Sequence, residues 1–246
     1  MSNPIEEFNN ERKNLIVSNG QNKELLQAAA NFNHESNIAK YSYNFSWMGR
    51  PIIAYPQDMI AMQELIWEIK PDLIIETGVA HGGSLVYYAS LLELIGEGGL
   101  VVGIDIDIRK HNKDLIEAHP MMKRIQLIEG PSTSEEVITQ VRRIAADKST
   151  IMVCLDSNHT HKHVLEELEL YAPLTSIGSY CVVFDTIVEH LPNNYLEGGR
   201  QWGVGNNPKT AAIEFLRNNQ NFVVDKQIDN KLLISVAPDG YLKRIA

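Results

Sequence analysis

The stretch DLIIETGVAHGGS at residues 72–84 decides the fold. It opens with a short apolar run of the kind that a strand buried on both faces requires. A turn carrying Gly78, Gly82 and Gly83 follows, and SLVYYASLLELI from Ser84 then reads as a helix that GEGG stops. Upstream, Met59, Met62, Ile66 and Ile69 recur at helical spacing until Pro71 ends them. Downstream the order repeats: strands at 100–107, 124–130, 150–156 and 179–185 alternate with helices at 113–118, 134–146, 161–171 and 210–218. Strands alternating with crossover helices predict an α/β fold, a doubly wound and mostly parallel sheet. The closing runs FVVDKQI and KLLISV, with no helix expected between them, predict an antiparallel C-terminal edge.

The chain of 246 residues suits one substantial domain plus an extension. Residues 1–46, rich in Asn, Glu and Lys, read as an N-terminal helical arm of short helices, and 47–246 as the domain. Within it, YSYNFSWMGRPIIAYP at 41–56 reads as a loop, crossing the mouth of a site or acting as a packed connector. Charge bounds the partners: 31 acidic against 22 basic residues leave a formal charge of -9, so nucleic acid is not expected. No apolar run reaches the roughly 18–20 residues that span a bilayer. The opening MSNPIEEFNNERK lacks the basic-then-apolar order of a signal peptide, and a cytoplasmic location is expected. Cys154 and Cys181 stand alone inside apolar runs and read as reduced core residues. The polar, partly amphipathic arm predicts a homo-oligomer.

In a doubly wound sheet, ligands collect beyond the carboxyl ends of the strands. Residues 76–84 occupy such a place, where glycines allow tight bending and close approach of a ligand just before a helix begins. The spacing is neither GxGxxG nor a loop ending in Gly-Lys-Ser/Thr, which weakens the dinucleotide and nucleotide-triphosphate readings. Asp105, closing the next strand, suits the two ribose hydroxyls of an adenosine, a feature that NAD and S-adenosylmethionine (SAM) share. Two further strand ends present Asp156 and Asp185 toward the same crevice. Converging carboxylates fit a hard divalent cation such as Mg²⁺, and they equally fit helix caps. His159, three residues after Asp156, is placed to serve as a general base. His161 and His163 complete HTHKH and read as surface residues at a helix start, since no cysteine partner completes a zinc set, with room for one of them to approach substrate.

Taken together, IIETGVAHGGS, VVGIDIDIR, IEGPSTS, LDSNHTHKHVLEELELYAPL, GSYCVVFDT and DGYLKRIA resemble the cephalosporin hydroxylase-like family, over residues 47–246. That family looks like a branch of the SAM-dependent methyltransferases that includes sugar and macrolide O-methyltransferases. The resemblance implies that Glu76, Gly78 and the turn His81, Gly82, Gly83 and Ser84 hold the methionine and ribose portions of SAM. It further implies that Asp105 takes the ribose diol, that Ser132 lies near the adenine, and that Asp156 and Asp185 hold Mg²⁺ beside a catalytic His159. His81 equally fits a turn histidine without ligand contact. Where related metal-binding methyltransferases carry an adjacent Glu-Asp pair, this chain has Phe184-Asp185, so Asp107 and Glu189 become conceivable substitute ligands. The expected reaction is methyl transfer from SAM to a hydroxyl of a small-molecule or glycan acceptor. Residues 41–50 and the loop 190–208, a mobile lid, are expected to recognise that acceptor, and Trp47, Tyr195 and Trp202 either stack on it or equally only pack the lid. A non-catalytic SAM-binding scaffold, an oxygenase component and an NAD oxidoreductase are the competing readings.

Overall fold

The computed structural model describes residues 3–192 and 199–246. Two helices of 16 residues, α1 (Pro4–Asn19) and α2 (Lys23–Ile38), come first. Both are longer than the short helices expected, because the asparagines that make this region look irregular serve as their caps: Asn3 accepts from the Ile5 N–H and Asn22 from the Leu25 N–H. α1 buries none of its residues.

The segment expected as a loop at 41–56 instead contains a two-stranded hairpin, β1 (Phe45–Trp47) and β2 (Arg50–Ile52). Its two-residue turn, Met48 and Gly49, has positive φ at both positions (45° and 84°), the geometry that joins twisted antiparallel strands. Met-Gly lacks the Asn-Gly signature that would have announced it. Then come α3 (Pro56–Ile69), β3 (Leu73–Thr77), α4 (Gly83–Ile95), β4 (Leu100–Asp105), α5 (Lys110–Glu117), β5 (Ile125–Glu129), α6 (Glu135–Ala145), β6 (Ile151–Leu155), α7 (His161–Tyr171), β7 (Tyr180–Val183), α8 (Pro208–Asn218), β8 (Phe222–Val224), α9 (Lys226–Leu232) and β9 (Tyr241–Arg244).

The central sheet has the order β5-β4-β3-β6-β7-β9-β8. β3 to β7 run parallel, and β9 is antiparallel to both its neighbours. Alternate residues of each strand feed two apolar layers. Ile74, Val101, Met152 and Val182 pack toward α3 and α4, whereas Leu73, Ile75, Val102 and Val153 pack toward α6, α7 and α8. This is the continuous apolar strand reading made physical. It also places Cys154 and Cys181 on opposite faces of neighbouring strands, both buried and free, so they are core residues.

The C-terminal edge departs from expectation in its parts. FVVDKQI gives only three strand residues, because Asp225 accepts from the Gln227 N–H and starts α9. KLLISV is the end of that helix and a loop, and the closing strand is β9. The loop is captured by a buried carboxylate: Asp58 accepts from Ser235 Oγ (2.6 Å), the Val236 N–H (2.9 Å) and Tyr241 Oη (2.8 Å). No helix among the described residues is long and apolar enough to cross a membrane.

Candidate active site

A cavity of about 640 Å³ opens at the carboxyl ends of the central strands, where the sheet order reverses between β3 and β6. Every residue nominated for cofactor, metal or proton transfer lines it except Gly82, whose open face lies against Ile116. The glycines serve the protein's own packing as much as any ligand. Gly78 has φ +91°, and a Cβ there would stand 1.9 Å from the Asp156 carbonyl oxygen; a Cβ on Gly83 would stand 2.1 Å from that of Pro51. The turn is therefore pressed between the end of β6 and the hairpin.

Polar groups hold it there. Asp105 Oδ2 accepts from the Val79 N–H (2.8 Å) and the Ala80 N–H (3.3 Å), and Oδ1 from Asp107 (3.1 Å). A carboxylate offers about four lone-pair sites, so Asp105 keeps acceptor capacity toward the cavity. Arg50, buried at the hairpin's end, donates to the His81 carbonyl and to Asn112 Oδ1, and Asn112 in turn donates to the Ala80 carbonyl. No sequence pattern announces this clamp, because its members lie 31 to 62 residues apart. Glu76 is buried beneath the turn and accepts from Ser84 Oγ at 2.7 Å. Burial outweighs the hydrogen bonds from Ser84 and Tyr88 and pushes its carboxyl up to about 8.

On the β6 and β7 side, ligand atoms of Asp156, His159 and Asp185 lie within 4.8 Å of one another. His159 Nε2 is 3.2 Å from Asp185 Oδ2. Burial, then the negative charges of Asp185, Glu76 and Glu167, hold the Asp156 carboxyl well above the usual carboxylate range. A cation would relieve that repulsion, so the donor set fits a divalent metal. Phe184 is buried in the apolar core and offers no ligand. Neither substitute joins the cluster: Asp107 is exposed, and Glu189 accepts from the Gly205 N–H and Asn207 Nδ2.

The described part of the expected lid is bolted down. Asn206 Oδ1 accepts from the His161 N–H (2.9 Å). Asn207, fully buried, caps α8 through the Lys209 and Thr210 N–H groups while donating to Glu189 and to the Gly203 carbonyl (2.8 Å). Asn207→Ala is expected to cost about 2–3 kcal/mol, since it removes a cap and strands buried partners. A thermal melt lowered by roughly 4–12 °C checks this. Held this way, Trp202 meets the His159 ring edge-on at 5.3 Å, with the Arg200 guanidinium over its own face. Trp47 instead packs on α4, donating to Ser90 Oγ (3.0 Å), and Tyr195 lies outside the described residues. His161 and His163 stand at the start of α7 as expected, half-buried, and one of them reaches the cavity. His161 pairs with Thr210 and Glu214, and His163 lines the cavity and meets the buried Glu167 one helical turn on. The i,i+4 spacing of His163 and Glu167 was the available signal.

The family model described as rhamnosyl O-methyltransferase/CmcI matches residues 39–245. The chain belongs to this family. Within the match, the chain is 37% identical to a rhamnosyl O-methyltransferase of Mycobacterium leprae (strain TN) over 148 residues, 60% of this chain and 62% of that protein. It is 32% identical to one from Mycobacterium bovis (strain BCG / Pasteur 1173P2) over 188 residues, 76% of this chain and 73% of that protein. The aligned stretch is thus under two thirds of the Mycobacterium leprae protein. Among solved structures, CmcI without ligand (21% identity, TM-score 0.59, 83% of this chain and 77% of that chain) shares the fold. So does CmcI with magnesium and SAM (22%, TM-score 0.59, 83% and 78%). The rhamnosyl O-methyltransferase/CmcI fold therefore has here the mostly parallel sheet with its antiparallel β9.

Proposed function

We propose that this chain is a SAM-dependent O-methyltransferase that acts on a sugar hydroxyl of a glycolipid, polysaccharide or natural product. One observation carries the reading: in a member of this family, a single cavity joins the Glu76 and Asp105 cradle to the Asp156, His159 and Asp185 cluster. Glu76, Gly78, His81, Gly83, Ser84, Asp105 and Ser132 form the proposed cofactor wall, and Gly82 bends the turn behind it. Asp156 and Asp185 are the proposed Mg²⁺ ligands, with water completing the shell. SAM supplies an activated methyl group on a sulfonium, and the metal lends charge stabilisation to a developing alkoxide. What the chain's own residues do is orient the acceptor in line with that methyl group and take the hydroxyl proton at His159. The arm of residues 1–46, bearing exposed Ile5, Phe8 and Leu15, is proposed to pack on a second copy, and the enzyme to work in the cytoplasm. The missing carboxylate at Phe184 keeps one rival reading in play, a SAM-binding scaffold without catalysis.

The direct test is calorimetric titration with SAM and with NAD, each with Mg²⁺ and then with chelator. SAM should bind and NAD should not; absence of SAM binding under both conditions overturns the reading. Glu76 adds a sharper expectation. Its folded pKa of about 8 lies well above the ordinary value of a glutamate, so the folded apoprotein holds a proton that the unfolded chain releases. That stability is full below pH 4.5 and is lost as pH rises through about 8. The cationic groups of SAM favour the ionised form, so binding at pH 7 should expel up to about one proton, vanishing as pH exceeds 8. Titration in buffers of different ionisation enthalpy reads this directly, and a buffer-independent enthalpy at pH 7 would count against Glu76 as the cation's partner.

A further inference from the structure

Behind the cavity wall lies a carboxyl that the reaction does not use. Glu167, on α7, is fully buried, and its Oε1 gathers three groups: Ser132 Oγ at 2.6 Å, Ser157 Oγ at 2.7 Å and His163 Nε2 at 3.3 Å. Its Oε2 is buried with no hydrogen-bond partner. A buried carboxyl with one bare oxygen is a costly element, and an apolar residue would fill the same space at less expense. The three groups it touches all line the cavity. Ser132 is fixed a second time, through its carbonyl, by Tyr171 Oη at 2.5 Å.

The place of this cluster follows from the sheet. Asp105 ends β4, and the next strand, β5, leads into the loop bearing Ser132; the Gly130 N–H donates to the Asp105 carbonyl at 2.8 Å, so the two lie side by side. With a ribose diol on Asp105, the base extends past β4 toward that loop. Each serine has one O–H, and both point to Glu167; His163, which the Glu167 hydrogen bond makes more basic, sets its Nε2 3.2 Å from Ser132 Oγ and donates there, so the remaining lone pairs of the two hydroxyl oxygens face the cavity as acceptors.

We infer that Glu167 is a positioning residue for nucleobase selectivity: by fixing the Ser132 and Ser157 hydroxyls as acceptors, it makes this end of the cavity select a 6-aminopurine over a 6-oxopurine. The inference rests on the SAM reading above. The 6-amino group of adenine donates to such a wall. A 6-oxo group would set acceptor against acceptor and leave buried polar atoms unpaired.

The experiment compares S-adenosylhomocysteine with its 6-oxo analogue, S-inosylhomocysteine, by calorimetric titration of the full chain. The parent should prefer the adenosyl compound by roughly 10- to 100-fold. In Glu167→Leu the serine hydroxyls turn freely, and the preference should shrink to within about 3-fold, whereas Glu167→Gln, whose amide oxygen still accepts, should keep most of it. Should Glu167→Leu fail to fold, the double variant Ser132→Ala/Ser157→Ala reads the same ratio with the carboxyl intact and should also lose the preference. Equal binding of the two compounds by the parent overturns the inference. So does an equal weakening of both in Glu167→Leu, which marks a merely structural carboxyl. A parent that binds neither compound removes the SAM reading itself, and the inference with it.

Discussion

His159→Ala is expected to slow methyl transfer to a deoxysugar glycoside by roughly 10²- to 10⁴-fold, the usual worth of a positioned general base, while SAM affinity stays at the parental level. The split follows from where the imidazole stands. It faces Asp185 at 3.2 Å and the edge of Trp202, on the β6 and β7 side of the cavity. The contacts that hold the glycine turn come from Asp105, Arg50 and Asn112, none of which touches it. A sugar hydroxyl is too weak an acid to lose its proton unaided near neutral pH, whereas the sulfonium leaving group needs no such help. Rate and cofactor affinity, measured on one preparation, therefore separate the roles. An unchanged rate would show that another group takes the proton. A parent that binds SAM yet methylates no glycoside in a broad screen would favour the scaffold reading that Phe184 keeps open.

The alternation of strands and helices was legible because parallel strands covered on both faces must be apolar throughout, and 151–155 could hardly have been anything else. α7 begins and ends where the periodicity predicts, at His161 and Tyr171. Reading failed where a distant side chain decided the outcome. Nothing in KLLISV announces that Asp58, some 177 residues earlier, will take its Ser235 hydroxyl and the next N–H and leave the strand to Tyr241–Arg244. The same holds in the site. The strand-end carboxylates were visible, since their place follows from topology. Arg50 and Glu167 were not, because their partners are a carbonyl 31 residues away and a hydroxyl 35 residues away. Even the glycines were half read: the tight turn was evident, but the surfaces that forbid a side chain are the backbones of Asp156 and Pro51.

That last point makes Gly78 the most sensitive position in the cradle. Gly78→Ala is expected to destabilise the fold by about 3–5 kcal/mol, from left-handed backbone strain of about 1–2 kcal/mol and a steric cost of comparable or larger size. The melting temperature should fall by roughly 6–20 °C. The steric part is hard to relieve, because the new methyl group meets backbone: the Asp156 carbonyl oxygen at 1.9 Å and its carbon at 2.6 Å. Moving that peptide strains the Asp156 N–H bond to the Thr77 carbonyl (2.9 Å), which closes the β3 and β6 pairing, and shifts the Asp156 carboxyl from its place beside Asp185. Cofactor turn and metal ligand are thus one mechanical unit, and one added methyl group should weaken SAM and Mg²⁺ binding together. Gly96→Ala supplies the comparison, for Gly96 has a similar φ of +80° at the end of α4 but nothing within 4 Å of its added Cβ. It should cost only the conformational part, about 1 kcal/mol. If the two variants melt at the same temperature, the close approach of Gly78 to Asp156 carries no energy, and the coupling between the two halves of the site falls with it.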